Sequence, residues 1–327
     1  MAVNTLQVKL FGKLSLERDG QSFSNLSGKA LELLCYLLLY RDRAHTRETL
    51  SEVLWPDASL SLSKKYLRQT LWQLQAISEH QPEREQTEAE ALIMLNPGWI
   101  RINPSADWRL DVDAFERGYE LARDIPGENL TDHQAQSLEE AIALYRGDLL
   151  ETWYQDWCIY ERERLQLTYL AMVEQLMRYC EVQRLYTKGV AYGQTILRYD
   201  RARECTHRQL MRLYYLAGDR SVALRQYDRC AAAMAKEFDL NPSQETVALY
   251  EQIRADRLED TPRAVPIERR STNMPETDPL LDLRKRLDQI EASLFAIQHI
   301  VQQELTAISR VMKEEVKTLQ QTPRQTQ

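Results

Sequence analysis

Long apolar runs are missing from this 327-residue chain: no stretch of about 18 apolar residues occurs, which leaves no candidate membrane-spanning helix. Glycine and proline are scarce, at 10 and 11 residues, which speaks against a loop-rich all-β protein and for long helices with few breaks. The cysteines, Cys35, Cys158, Cys180, Cys205 and Cys230, are odd in number and scattered, with no CxxC pair. Neither a disulfide framework nor a zinc site is expected, and the thiols read as reduced, packed side chains. An excess of basic charge is absent too. The formal net charge of −7 argues against a protein that coats nucleic acid indiscriminately. The first residues lack a cationic end, an uninterrupted apolar core and a cleavage site, so a cytoplasmic protein with no membrane partner is expected.

A catalytic set is also missing. His45, His80, His133, His207 and His299 show no HExxH spacing, and Ser27, Gly28 and Lys29 lack the glycine-rich lead of a phosphate loop. Acidic pairs such as Glu139 and Glu140 read as a solvated helix face. No enzyme, cofactor or metal is expected.

What is present is 43% hydrophobic and 28% charged residues, enough for two or three domains with real cores. The most informative stretch runs from Ser59 to Ser78. Leu67, Leu71, Leu74 and Ile77 follow helical spacing toward a core, leaving Lys64, Lys65, Arg68, Gln69, Trp72, Gln73 and Gln75 outward or flanking. Residues 1 to 78 hold ten Lys or Arg against seven Asp or Glu, whereas residues 79 to 90 hold five acids and one Arg. Cationic character is confined to the first segment.

The neighbours of that helix give it a context. Leu6 to Leu16 alternates partly apolar and polar, and Asp19-Gly20 is a turn dipeptide, which predicts a small antiparallel sheet. From Gly28, the positions Ala30, Leu33, Leu34, Leu37 and Leu38 mark a core helix. Arg41 to Thr46 is a polar break, after which Thr46 can cap a short helix that carries Leu50, Val53, Leu54 and Trp55 and stops at Pro56. Ala91 to Asn103 gives two β-prone runs around Asn96, Pro97 and Gly98, a hairpin that reads as a wing. Sheet, three helices and terminal hairpin make a winged helix-turn-helix domain over residues 1–104.

From Asp111 to about Arg257 the periodicity is helical and broken at short intervals. The segment from Glu204 to Phe238 holds two amphipathic helices around Ala217-Gly218-Asp219 in about one tetratricopeptide-like period. Ala223, Leu224, Tyr227 and Ala231 are small or apolar positions that let helices nest. Residues 111–257 therefore read as a tetratricopeptide-like helical domain. Residues 258–279, rich in Pro, Thr and charge, read as a flexible linker. Leu280, Leu283, Leu287, Ile290, Leu294, Ile297 and Val301 then alternate three- and four-residue steps, and a slip to Leu305 resumes them, so a coiled-coil helix is expected over 280–320. The fold class is mainly α, in three parts.

These segments, in this order, resemble the bacterial transcriptional activators that join an OmpR-type winged helix to a bacterial transcriptional activator domain, as in the Streptomyces antibiotic regulatory proteins. LFGKLSLERDG, GKALELLCYLLLY, RETLSEVLWPD and KKYLRQTLWQLQ are similar to the family's first strands, core helix, second helix and recognition helix. LNPGWIRINPSADWRLDVDAFE resembles its wing and junction, while YQDWCIYERERL and KEFDLNPSQETVALYEQI resemble signatures of its activator domain. The resemblance implies binding to double-stranded promoter DNA, commonly as a dimer, and recruitment of RNA polymerase holoenzyme. One departure is that Gln73, Leu74 and Gln75 stand where many such helices carry Arg-Leu-Arg, which removes two cations from the helix. Neither a receiver domain nor a nucleotide-binding ATPase accompanies these segments, so direct control by phosphorylation is not expected.

Within a winged helix, Arg68 is the first candidate for guanine O6 and N7, and Gln69 and Gln73 are candidates for adenine. Lys64 and Lys65 read as phosphate contacts. Trp72 either packs on thymine methyls or sugar or belongs to the core. Arg101 is the wing's cation, beside Trp99, and either meets the DNA backbone or pairs across the hairpin. Lys29 and Arg47 are further phosphate candidates. Leu60 and Leu62, in the loop where OmpR-type relatives touch RNA polymerase, are contacts or caps. Tyr154, Trp157, Tyr160, Tyr186, Tyr192, Tyr199, Tyr214, Tyr215 and Tyr227 line a groove or, as aromatics at helical spacing commonly do, fill the core. The competing reading is a protein-interaction scaffold whose winged helix no longer reads DNA, with the coiled coil pairing two copies or binding another protein.

Overall fold

The computed structural model describes residues 5–18, 21–22, 26–78 and 91–258. Strand β1 (Leu6–Lys9) pairs antiparallel with β2 (Ser15–Arg18), Leu6 opposite Arg18 and Lys9 opposite Ser15, and β3 (Gln21–Ser22) adds to β2. Leu6, Val8 and Leu16 are buried while Gln7 is exposed, the two-residue period of a sheet with one face on a core.

Helix α1 (Gly28–Leu39) starts at Ser27, whose hydroxyl accepts from the Ala30 N–H. Every residue from Glu32 to Leu39 is buried, which puts this helix at the centre of the first domain. Helix α2 (Arg47–Leu54) is capped by the Thr46 hydroxyl, which accepts from the Thr49 N–H. Helix α3 (Leu60–Ser78) comes after a short loop. Strands β5 (Ile93–Asn96) and β6 (Trp99–Ile102) form the hairpin, and Gly98 supplies the left-handed backbone, φ 90°, that its tight turn requires.

Two strands escape a reading of the sequence. The break from Arg41 to Thr46 contains β4 (His45–Thr46), which pairs with β6, His45 opposite Ile100, so the wing is three-stranded. Strand β7 (Trp108–Leu110) lies parallel to β1 and completes the sheet order β3-β2-β1-β7. Elements of two or three residues carry too little alternation to be recognised, and β7 finds its partner about a hundred residues upstream.

The junction after β7 joins the winged helix to the helical domain. Asp111 opens α4 (Asp111–Glu120), and its carboxylate accepts from the backbone N–H groups of Leu10, Phe11 and Val112 at 2.8–3.0 Å. Gly12 N–H donates to the Asp148 carbonyl at 2.9 Å, and Leu150 N–H donates to that of Leu10 at 2.9 Å. The Arg162 guanidinium holds the carbonyls of Leu149, Leu150 and Trp153 at 2.7–2.8 Å.

Beyond α4 come α5 (Asp132–Leu144), α6 (Asp156–Val182), α7 (Tyr186–Tyr199), α8 (Glu204–Leu216), α9 (Arg220–Phe238) and α10 (Gln244–Arg254). Successive helices pack as neighbours, in the tetratricopeptide-like manner. A Cβ on Gly193 of α7 would run into Met177 of α6 and Leu210 of α8, so glycine lets three helices approach. One apolar cluster runs from β1 through α1 to α6, and smaller clusters serve α7 to α10. Except for Leu258, the linker expected at 258–279 and the coiled coil at 280–320 lie outside the described residues, as do the Asp19-Gly20 turn and the acidic stretch 79–90.

Asp111→Ala leaves N–H groups at Leu10 and Phe11 without an acceptor. It is expected to cost about 3 kcal/mol or more in urea unfolding, whereas a surface carboxylate such as Glu140→Ala should cost less than about 0.5. His45 gives a pH prediction. Burial holds its imidazole below the usual 6.5, and its Nε2–H donates to the Tyr40 carbonyl at 3.1 Å. With the folded value lowered, the unfolded chain binds the extra proton. Stability from this site is complete above the unfolded value and declines as pH falls below about 6.5. Unfolding titrations at descending pH should show that decline, and His45→Gln should flatten it.

Candidate nucleic-acid interface

Helix α3 divides into two faces. Ser63, Leu67, Thr70, Leu71 and Leu74 are buried, at three- and four-residue steps, and pack on α1 and α2. Its two buried hydroxyls are satisfied along the helix, Ser63 Oγ donating to the Leu60 carbonyl and Thr70 Oγ1 to that of Tyr66. The other face carries Lys65, Arg68, Gln69, Trp72 and Gln75, all exposed. Trp72 is 70% exposed, which answers the question the sequence left open: its indole stands in solvent beside Arg68. Among the described residues, Lys65 and Arg68 make no ion pair, so both cations face water.

Lys64 is placed differently. Its Nζ lies 2.7 Å from Glu48 Oε1 of α2, and the lysine holds that carboxyl below its usual range. A phosphate at Lys64 must displace Glu48. Gln73 also departs from the open face: it is half-buried, and its Oε1 accepts from the Ser27 hydroxyl at 2.6 Å. Ser27 is the N-cap of α1, so Gln73 orients the helix pair and its carbonyl is not open to a base. Ile77 falls where side chains are outside the description.

Lys29 is withdrawn from DNA for a related reason. Its ammonium lies 2.6 Å from the Leu54 carbonyl and 2.8 Å from Glu32 Oε2, tying α1 to the C-terminal end of α2. Arg47 is half-buried at the start of α2. In the wing, Arg101 is half-buried and stands opposite Met94, its guanidinium 5.7 Å from the Trp99 ring. Arg101 thus combines both readings, a cross-strand neighbour whose charge rides on an aromatic face.

Leu60 and Leu62 are 53% and 40% exposed at the start of α3, an apolar pair on the surface rather than a buried cap. The aromatics of the helical domain split. Trp157 is buried and Tyr186, Tyr192, Tyr214, Tyr215 and Tyr227 pack against the helical clusters, while Tyr154, Tyr160 and Tyr199 are exposed, Tyr199 with its ring 5.9 Å from that of Tyr169.

The interface stays oriented because the winged helix is locked to the helical domain beside it. Arg41, just after α1, contacts Asp113 at 2.9 Å and Glu116 at 2.6 Å on α4, and Glu116 in turn meets Arg164 of α6 at 2.6 Å. No sequence pattern announces this network, because each pair joins residues 48 to 75 positions apart.

A winged helix with one open cationic helix face is followed by stacked helix pairs. Residues 110–254 match the family described as Bacterial transcriptional activator domain. The matched residues are the helical domain behind the winged helix, and they make up less than half of the chain. In fold it is similar to Mycobacterium tuberculosis EmbR, solved in complex with a low affinity phosphopeptide, with a TM-score of 0.62 at 19% identity. That likeness covers 78% of this chain and 66% of EmbR, so the chain spans just under two thirds of that relative's length. No curated protein matches the chain.

Proposed function

We propose that the protein is a sequence-specific DNA-binding transcription regulator, without catalytic activity, that places α3 in the major groove of promoter DNA. The observation that carries this reading is the open face of α3, where Lys65, Arg68, Gln69 and Trp72 stand exposed opposite a fully packed Leu67, Leu71 and Leu74. Arg68 takes guanine through its planar fork, Gln69 takes adenine, Lys65 holds phosphate, and Trp72 packs on sugar or thymine methyl. Lys64 contributes only after release from Glu48, and Arg101 meets the backbone from the wing.

Two cations on the open face are few, and each phosphate contact adds to affinity and salt dependence. The reading therefore includes a dimer, paired through the apolar repeat of residues 280–320, that brings two α3 helices to repeated half-sites. The apolar pair Leu60 and Leu62 is the surface proposed for RNA polymerase. A cytoplasmic location follows from that work; no described helix is long and apolar enough to cross a membrane.

Band-shift titrations on the chain's own upstream DNA, run at two salt concentrations, test the reading. Arg68→Ala is expected to cost about 1–3 kcal/mol and to relax base preference at one position. Lys65→Ala should weaken all sequences alike and lower the salt slope by about 1, while Glu48→Gln, which frees Lys64, should tighten binding. A wild type with no site preference, indistinguishable from Arg68→Ala, would leave the scaffold reading in its place.

A further inference from the structure

A second site lies away from the open face of α3. A cavity of about 840 Å³ opens between the α2–α3 loop, the first turns of α1 and the start of α6, and a neighbouring one of about 770 Å³ shares Lys29, Glu32 and Gln155 with it. Its size is that of a pocket for a small organic molecule. Trp55 and Tyr66, 5.9 Å apart between ring centroids, form one wall, and Trp157, 9% exposed, belongs to the other.

The polar groups here are unevenly satisfied. Glu32 is 4% exposed in the core helix, and among the described residues only its Oε2 has a partner, the Lys29 ammonium. Its Oε1 is buried with no hydrogen-bond partner among the described residues, and the same holds for Gln155 Oε1 and the Trp157 indole N–H. A buried carboxylate oxygen without a donor is costly, and such a group in a folded protein calls for an occupant. Two of the three orphaned atoms are acceptors, which ask for N–H donors from that occupant.

Charge points the same way. Among the described residues, Glu32, Glu52, Asp57 and Asp156 line the cavity against a single cation, Lys29, which is already engaged by Glu32 and the Leu54 carbonyl. A planar cation fits both features, because it donates paired N–H bonds to a carboxylate and stacks on aromatic faces.

We propose that this cavity, between the winged helix and the helical domain, is a binding site for an amidinium or guanidinium group carried on a flat apolar body, with Glu32 as its anchor. The rings of Trp55, Tyr66 and Trp157 along the cavity walls favour a flat body on the cation over the flexible stem of a peptide arginine. Residues of both domains form the walls, so the occupant touches both at once. The site is independent of the DNA reading and stands or falls separately.

Titration calorimetry and tryptophan fluorescence on the full chain, with benzamidine as probe, test it. Benzamidine should bind saturably at one site, and neutral benzamide at least about tenfold more weakly. Glu32→Gln should weaken benzamidine by about tenfold or more, and Asp57→Asn, on the exposed loop, by a few fold. An acetylated, amidated Gly-Arg-Gly peptide distinguishes the source: weaker binding than benzamidine supports a small-molecule site, and tighter binding overturns that assignment. Failure of benzamidine to bind, or equal binding of benzamide, overturns the proposal. So does an affinity unchanged in Glu32→Gln, and if that variant does not fold, the Asp57→Asn and benzamide comparisons decide.

Discussion

The backbone from Leu10 to Gly12 leaves the end of β1, and the groups that take up its hydrogen bonds hold the two domains together. The Asp111 carboxylate receives two of its N–H groups, and the segment around Asp148 to Glu151 receives or supplies the others. Each partner comes from the helical domain, about a hundred residues or more further along the chain. Removing those partners would strand buried peptide groups, each costing about 1–3 kcal/mol. The winged helix cannot swing freely on such a joint. Arg41 reinforces it through Asp113 and Glu116.

For the proposed reading of DNA a fixed joint matters, because α3 would present its open face at a defined angle. Locally, Gln73 does this by accepting from Ser27, and Lys29 does it by binding the last carbonyl of α2. Both residues have the chemistry of DNA contacts and are used instead to set the angles between helices. What remains available on α3 is a narrow strip from Lys65 to Trp72. Under that proposal, a chain with so few open cations would depend on accurate placement and on pairing more than on long-range attraction, in keeping with its negative net charge.

Much of this was legible in the sequence where structure is local. Thr46 caps the helix it precedes, Leu67, Leu71 and Leu74 face inward, and Pro97-Gly98 turns the wing. Long-range features were not legible. The parallel partner of β1, the role of Asp111 and the Arg41 network depend on residues brought together only by folding. Glu32 is the sharpest case: in the sequence it sits among leucines as a solvent-facing residue would, yet it is buried and half-paired. Trp72 departs in the opposite sense, because large aromatics favour burial on average and this one is in the open.

The central claim is that α3 lies in the major groove with its Lys65–Trp72 strip against base edges. A tethered-cleavage experiment tests it most directly. Cys205 is exposed and the other described cysteines are buried, so a Cys205→Ser background leaves one addressable thiol after Gln69→Cys. An iron chelate on that thiol should cut the bound DNA within a few base pairs of the protected site, with the strand offset of major-groove attack. The same chelate placed by Thr187→Cys, exposed on α7, should give no such focus. Equal and diffuse cutting from both positions would contradict the account.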